Sequence, residues 1–390
     1  MHELSDLYYT RPGIHPPHRA TGSPDGLPLR HTRDTLAVTD ALHDPARYIA
    51  EPDLAAAINT AIILGRPLFV TGEPGTGKSE LADHIAQRLC LGKALRVEIK
   101  STTRSTDLFY AFDSLRQFRD ANLSRLISAD PTPGVAPPSA KDQSPRDEAR
   151  HEPHDPPAAM GSVGADWVRP YLTFQGLGLA ILKSRRAEDA LIKRYWDARR
   201  YGPFDGPRRS VVLIDEIDKA QRDVPNDLLN EVDRHFFHVH EDENRLIGID
   251  NGLAPLIVFT SNAEKHLPTA FLRRCVYHHI RFPDLETEAG MAMLEAIVAS
   301  RIVSYPIGCR LLGDALALMR ELRSSALGLA KPPTTAELLD WLSLLHAMGL
   351  GPNDPIKGRD GLRTGLGAIL KSLDDRQAAE RHVIAEWFPQ

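Results

Sequence analysis

Apolar residues in this chain gather into short continuous runs separated by stretches in which they recur every three or four positions, a pattern that predicts buried strands alternating with helices. Leu54, Ile58 and Ile62 share one helical side within RYIAEPDLAAAINTAIILG, and Gly65 ends that stretch, so a helix opens the organised region from about Ala46. Leu68-Phe69-Val70 reads as a short strand, followed by a glycine-rich loop and a helix carrying Leu81, Ile85 and Leu89 on one side. Val97 and Ile99 alternate with polar neighbours in a second strand, and Ser210 to Ile214, Leu256 to Phe259 and Val276 to Phe282 read as three more. Between the third and fourth of these strands the pattern predicts a helix from Asn226 to Phe237 and a turn-rich segment through Gly252. Beyond Pro283 it becomes almost wholly helical, with amphipathic stretches at Ala289 to Ser300, Leu311 to Leu322 and Thr335 to Ala347. The fold class expected is therefore α/β, a parallel-sheet core followed by a small all-α subdomain.

Composition divides the chain further. Residues 1–45 are dense in Pro, His, Gly and Arg with little apolar periodicity, and they read as an arm. Residues 46–283 hold the α/β core, interrupted at about 128–165 by PTPGVAPPSAKDQSPRDEARHEPHDPPAAMGS, too rich in Pro and charge to form a core element; residues 284–390 are the helical part and its extension. No repeat of fixed period is present, which argues against solenoids and propellers. A net charge of -5 gives no overall drive toward nucleic acid or anionic lipid. Cys90, Cys275 and Cys309 are too few and too scattered for a disulfide framework or a thiolate metal site. With no apolar leader and no span long enough to cross a bilayer, a soluble cytoplasmic protein with no membrane partner is expected.

The strongest chemical signal is Gly72-Glu73-Pro74-Gly75-Thr76-Gly77-Lys78-Ser79, a complete G-x-x-x-x-G-K-[ST] loop between a strand and a helix. Its glycines let backbone N–H groups approach phosphates, Lys78 can neutralise the β and γ phosphates, and Ser79 can ligate Mg²⁺. ATP and Mg²⁺ are thus the expected ligands, with Glu80 continuing the contact surface into the helix. The second signal is Val211-Val212-Leu213-Ile214-Asp215-Glu216, an apolar strand delivering two carboxylates at its carboxyl end. Asp215 suits the Mg²⁺ shell and Glu216 the attacking water; alone, the same string also fits a strand followed by a helix cap. Asn262, at the end of Val258-Phe259-Thr260-Ser261-Asn262, can hydrogen-bond a γ-phosphate or water, or serve a turn. Arg273 and Arg274 precede the last strand, placed either to reach a neighbouring subunit's γ-phosphate or to stay solvated.

Taken in order, these motifs resemble the AAA+ ATPases, and within them the MoxR-like and dynein-related branch. The resemblance covers roughly Arg47 to Ala347 and rests on GEPGTGKSELA, VEIKSTTRSTDLFY, YLTFQGLGLAIL, VVLIDEIDKA, VFTSNAEKHLPTAFLRRC and KPPTTAELLDWLSLL. It implies that Gly72 to Ser79 is the Walker A loop, Asp215 and Glu216 the Walker B pair, Asn262 the first sensor, and Arg274, with Arg273 in reserve, the arginine finger. It places Tyr48 and Ile49 against the adenine, where a helix start would also bury an apolar face. It implies a ring, commonly a hexamer, with ATP between subunits. The helix opening at Lys331-Pro332-Pro333-Thr334-Thr335-Ala336 lacks the arginine that members of this branch often carry there, and Lys331 is either its substitute or a solvated loop lysine. Phe109, Tyr110 and Phe112 align with an insert that in this branch projects toward the ring pore, and they equally fit a buried core.

His15, His18, His151 and His154 fall in the Pro-rich segments, and His278 and His279 alternate along a strand and cannot share a metal, so no metal beyond Mg²⁺ is expected. The resemblance implies a chaperone-like remodelling motor acting on a protein partner, such as one bearing a von Willebrand A domain. A nucleic-acid-directed motor and an ATP-controlled scaffold with negligible hydrolysis stand as alternatives, the latter disfavoured by Glu216.

Overall fold

The computed structural model describes residues 42–128, 168–250, 252–262 and 265–388. The arm up to residue 41, all of the predicted insertion but Ser128, and the histidines assigned to those segments lie outside the described residues.

Five parallel strands form the central sheet: β1 (Leu68–Gly72), β2 (Leu95–Glu98), β5 (Val211–Asp215), β8 (Leu256–Ser261) and β9 (Val276–Ile280), in the order β2-β5-β8-β1-β9. Two small antiparallel pairs accompany it, β3 (Tyr110–Phe112) with β4 (Leu172–Phe174) and β6 (Phe236–Val239) with β7 (Arg245–Gly248). β1, β5 and β8 read as unbroken apolar runs because both faces are covered, while the edge strands β2 and β9 keep exposed positions. Leu68, Val70, Leu213 and Val258 pack on one face with Leu81 and Ile85, while Phe69, Val212, Ile214 and Phe259 pack on the other with Leu177 and Ile181. The first set meets helices α1 (Pro52–Leu64) and α2 (Lys78–Arg88); the second meets α4 (Gly176–Lys183), the intervening α3 (Ser114–Ser128) following β3.

This strand order creates the site. From β1 the chain crosses to the far edge at β2, returns through β5 and β8, and finishes on the other side of β1 with β9. The carboxyl ends of β1, β5 and β8 therefore lie side by side, where ligands bind in open α/β sheets. The register Leu213↔Val258 and Ile214↔Phe259 brings Asp215 beside Thr260, and Thr71↔Ser261 brings the loop after β1 beside the same strand.

The helices after Pro283 form a separate apolar core. α5 (Glu288–Arg301), α6 (Arg310–Leu322) and α7 (Thr335–Ala347) bury Leu294, Leu316, Met319, Trp341 and Leu345, and α8 (Leu373–Ala379) and Phe388 close it. Their bounds fall within a residue or two of the predicted stretches. α7 begins with a capping box in which Thr334 and Glu337 satisfy each other's backbone N–H groups. Among the described residues no helix is long and apolar enough to cross a membrane, and the three cysteines are free.

One predicted helix is not continuous. Within Asn226 to Phe237, short helices at Val224–Asp227 and Leu229–Arg234 end at His235, whose φ of 51° is left-handed, and the chain turns into β6. The turn-rich segment that follows contains the β6–β7 pair, tied down by Asp242, which accepts from Arg194 Nε at 2.9 Å, Arg245 Nε at 3.1 Å and the Tyr195 hydroxyl. No local alternation strong enough to predict these strands is present in FFHVHEDENRLIG.

Candidate nucleotide site

Gly75 and Gly77 adopt φ of 74° and 86°, values that only glycine takes without cost, and they turn the loop after β1 into the amino terminus of α2. Lys78, 6% exposed, bends back over this loop: its Nζ donates to Gly72 O at 2.9 Å and Glu73 O at 2.8 Å. Burial pulls the ammonium below its ordinary range, opposed by the surrounding carboxylates of Asp215, Asp218, Glu216 and Glu73. Thr76 Oγ1 donates to Glu73 O at 2.8 Å and braces the loop from inside.

The acidic side of the site is a chain of short contacts. Ser79 Oγ donates to Asp215 Oδ1 at 3.0 Å, and the Thr260 hydroxyl donates to the same oxygen. Thr260 Oγ1 in turn accepts the Glu216 backbone N–H at 3.0 Å, so one threonine fixes both members of the acidic pair. Glu216 has a φ of 58°, and this left-handed turn swings its carboxylate away from the strand axis. There Asn262 Nδ2 donates to Oε1 at 3.1 Å while Lys219 pairs with Oε2. Sequence reading had singled out Asn262 and passed over Thr260 and Lys219; the run of polar residues ending β8 was the available signal for the former.

Lys78, Ser79, Asp215, Glu216, Lys219 and Asn262 line a cleft of about 720 Å³ that also includes Tyr48, Ile49, Pro74, Thr76, Glu80, Lys100, His278, Ile280, Arg281, Met293, Ile297, Arg301, Ala336 and Leu339. Met293 and Ile297 of α5 and Ala336 and Leu339 of α7 contribute apolar lining of the kind a planar base packs against. Tyr48 packs against Gly77, where an added Cβ would stand 3.1 Å from its ring, and burial pushes its phenol up. Glu80 is held by Arg301 Nη2 at 2.7 Å, and that same guanidinium donates to the carbonyls of Leu42 and Asp44. Arg301 thus ties α5 to the segment before α1 and to α2.

Lys331 does not line the cleft. It is exposed, and its backbone N–H donates to Asp375 Oδ2 at 3.1 Å. Thr335 and Ala336, further along the same turn, are the residues that reach the loop: Ala336 N donates to Gly75 O at 3.3 Å. Arg273 and Arg274 also stand outside their own chain's cleft, exposed, with Arg274 Nε on Asp233 Oδ2 at 2.7 Å. Phe109 and Tyr110 are 3% and 5% exposed, Phe109 stacking on Phe237 at 5.1 Å, so of the two sequence readings the structure shows the core one for both. Among the described residues no group of three or more His, Cys, Asp or Glu is placed to hold a metal.

Residues 67–131, a span that includes β1, the loop, α2, β2, β3 and α3, match the family model of the AAA domain, dynein-related subfamily. Over these residues the chain is similar to AAA domains of the dynein-related subfamily. The five-stranded parallel sheet carries the glycine-rich loop after β1, the acidic pair at the end of β5 and Asn262 after β8. Among solved structures, the Thermotoga maritima RuvB Holliday junction branch migration motor aligns with a TM-score of 0.39 at 12% identity, covering 83% of this chain and 69% of that one. NtrX from Brucella abortus, solved in complex with ATP, aligns with a TM-score of 0.38 at 12% identity over 90% of this chain and 64% of its own. No curated protein matches the chain.

Oxygen is the donor atom on both Ser79 and Asp215, and with Ser79 Oγ and Asp215 Oδ1 3.0 Å apart the pair offers one hydroxyl and one carboxylate. That set fits Mg²⁺, which is commonly bound through one or two protein oxygens and completed by phosphate and water.

Proposed function

We propose that the protein is a Mg-ATP-dependent AAA+ ATPase of the MoxR-like kind, an oligomeric motor that remodels a protein partner, with the α/β part (46–283) binding nucleotide and the helical part (284–390) responding to it. The observation carrying the enzymatic reading is the Asn262–Glu216 hydrogen bond of 3.1 Å in the cleft that holds Lys78. A carboxylate held by a neutral amide donor keeps lone pairs to accept a proton from, or orient, an attacking water.

Each residue then has a physical task. Lys78 exchanges two backbone carbonyls for phosphate oxygens, a stronger, charge-assisted contact. Mg²⁺, bound by Ser79 and Asp215 and by the phosphates, would supply electrostatic stabilisation of the leaving charge. Thr260 keeps Asp215 and Glu216 at fixed separation, and Lys219 holds the second oxygen of Glu216. Arg274, exposed and outside its own cleft, is free to enter a neighbour's site, the arrangement a ring requires. The absence of a membrane-crossing helix among the described residues is compatible with the cytoplasm as its site of action.

Hydrolysis and oligomer mass of the full chain and of Glu216→Gln test this reading. ATP-dependent assembly, turnover in the native chain, its loss in Glu216→Gln and protein partners retained by the ATP-trapped variant are the expected results. Unchanged turnover in Glu216→Gln removes the mechanism; turnover that rises on adding DNA or RNA, with salt-sensitive binding, assigns the motor to nucleic acid instead.

A further inference from the structure

The helical part grips the nucleotide loop through a residue that the sequence motifs do not mark. Arg323, immediately after α6, crosses to the loop and pairs with Glu73, its Nη2 standing 3.0 Å from Oε2 and 3.3 Å from Oε1. The same guanidinium lies 3.6 Å from the centroid of the Phe282 ring, where the chain leaves β9 for the helical part. Its Nη1 donates to Pro333 O at 2.7 Å, one residue before the Thr334 cap of α7. One planar cation therefore joins the loop, the connection between the two parts, and the turn that delivers Thr335 and Ala336 to the cleft.

The two ends of this pair differ in freedom. The Arg323 side chain is 14% exposed and that of Glu73 48% exposed, so the arginine is a fixed anchor, stacked and desolvated, onto which the loop residue docks. Partial burial of the guanidinium makes this pair worth more than an exposed one, which contributes little. Glu73 is also the residue whose carbonyl accepts both Lys78 Nζ and Thr76 Oγ1. When Lys78 turns from that carbonyl to a phosphate, the Thr76 hydroxyl still holds the carbonyl and Arg323 still holds the Glu73 side chain.

We propose that Arg323 is a positioning residue for phosphate binding: by holding Glu73 against the helical part it keeps the loop in its receptive shape and makes nucleotide affinity depend on the docking of α6 and α7. The inference rests on the ATP-binding reading above. It assigns to Arg323, reached through Glu73, a coupling between loop and helical part that does not pass through Lys331, which is not among the cleft's lining residues.

The test is the dissociation constant of a fluorescent ATP analogue, mant-ATP, for the full chain and for Glu73→Gln, Arg323→Gln, the double variant and Arg323→Lys. Each glutamine substitution weakens binding by about three- to tenfold, and the double variant binds no worse than the weaker single, as expected of two residues acting through one contact. Arg323→Lys, which keeps the charge but loses the planar fork, recovers part of the affinity, a rescue that a merely structural loss would not show. Thermal melting of each variant identifies any that fails to fold, and the Glu73→Gln to Arg323→Lys comparison then decides alone. Unaltered affinity in the folded variants, or fully additive losses in the double variant, overturns the proposal while leaving the nucleotide site intact. Failure of the native chain to bind mant-ATP overturns the ATP reading and this inference together.

Discussion

Asn262 Nδ2 reaches Glu216 Oε1 across 3.1 Å, joining the end of β8 to the turn after β5. Because Asn262 fixes the carboxylate and does not change its charge, the two substitutions separate cleanly. Glu216→Gln is expected to lower the hydrolysis rate by about 10²-fold or more, the usual contribution of a positioned base, with ATP binding retained. Asn262→Ala leaves the base present but loosely held, and a smaller loss, about tenfold, should appear in single-turnover assays.

Lys78→Ala removes the group that satisfies both Gly72 O and Glu73 O. The expected outcome is a weakening of ATP binding by at least about tenfold, from loss of one charge-assisted contact of about 1.5–3 kcal/mol, measurable by isothermal titration. Retained native affinity would mean that the loop does not meet phosphate through this lysine.

Arg274 and Asp233 form an ion pair with both side chains more than two-fifths exposed, and such pairs contribute little to stability. Arg274→Ala should therefore melt within a degree or two of the native chain yet lose hydrolysis while still binding ATP. Mixing it with Lys78→Ala subunits is expected to restore activity, since each supplies what the other lacks at a shared interface. No recovery on mixing would place the finger elsewhere.

Gly75 meets the cap of α7: an added Cβ would stand 2.4 Å from Thr334 Oγ1, and φ is already 74°. Gly75→Ala is expected to cost about 1–2 kcal/mol for the left-handed backbone and to push the cap off the loop. Protease accessibility of the turn around Thr334 in Gly75→Ala and in the native chain is the measurement, with greater cleavage of the variant expected.

His278 lines the cleft, and burial holds its imidazole below the ordinary 6.5, with His279 adding to the shift and Glu51 and Asp53 opposing it. His235 is lowered by burial in the same sense, with Arg209 adding and Asp233 opposing. The folded chain holds these protons less tightly than the unfolded one, so unfolding takes up protons at mildly acidic pH. Stability is complete above about pH 6.5, the unfolded value, and falls as pH drops through the folded value. A melting series from about pH 7.5 to 5 should decline, and His278→Gln should flatten part of the decline; an equal slope in the variant would show that His278 is not a source of it.

The P-loop, the acidic pair and the helices beyond Pro283 were legible because each announces itself locally: a glycine pattern, an apolar run ending in carboxylates, a helical period. Thr260 and Arg323 were not, for a different reason. Thr260 owes its role to the Ile214↔Phe259 register, and Arg323 to the return of α6 toward a loop 250 residues earlier in the chain. The β6–β7 pair was hidden because its turn is built from charged residues that Asp242 gathers only after folding. For Lys331 the sequence left a sensor role and a solvated loop lysine both open; in the structure the residues of that turn lining the cleft are Thr335 and Ala336.

Glu216 occupies a backbone conformation that a glycine or an asparagine would adopt more comfortably, at a penalty of about 1–2 kcal/mol. A screen for thermal resilience alone would accordingly favour Glu216→Gly or Glu216→Asn, and the winners would be catalytically silent. Under the role proposed for Glu216, durability and turnover are opposed by geometry at this position, and laboratory selection for one should erode the other.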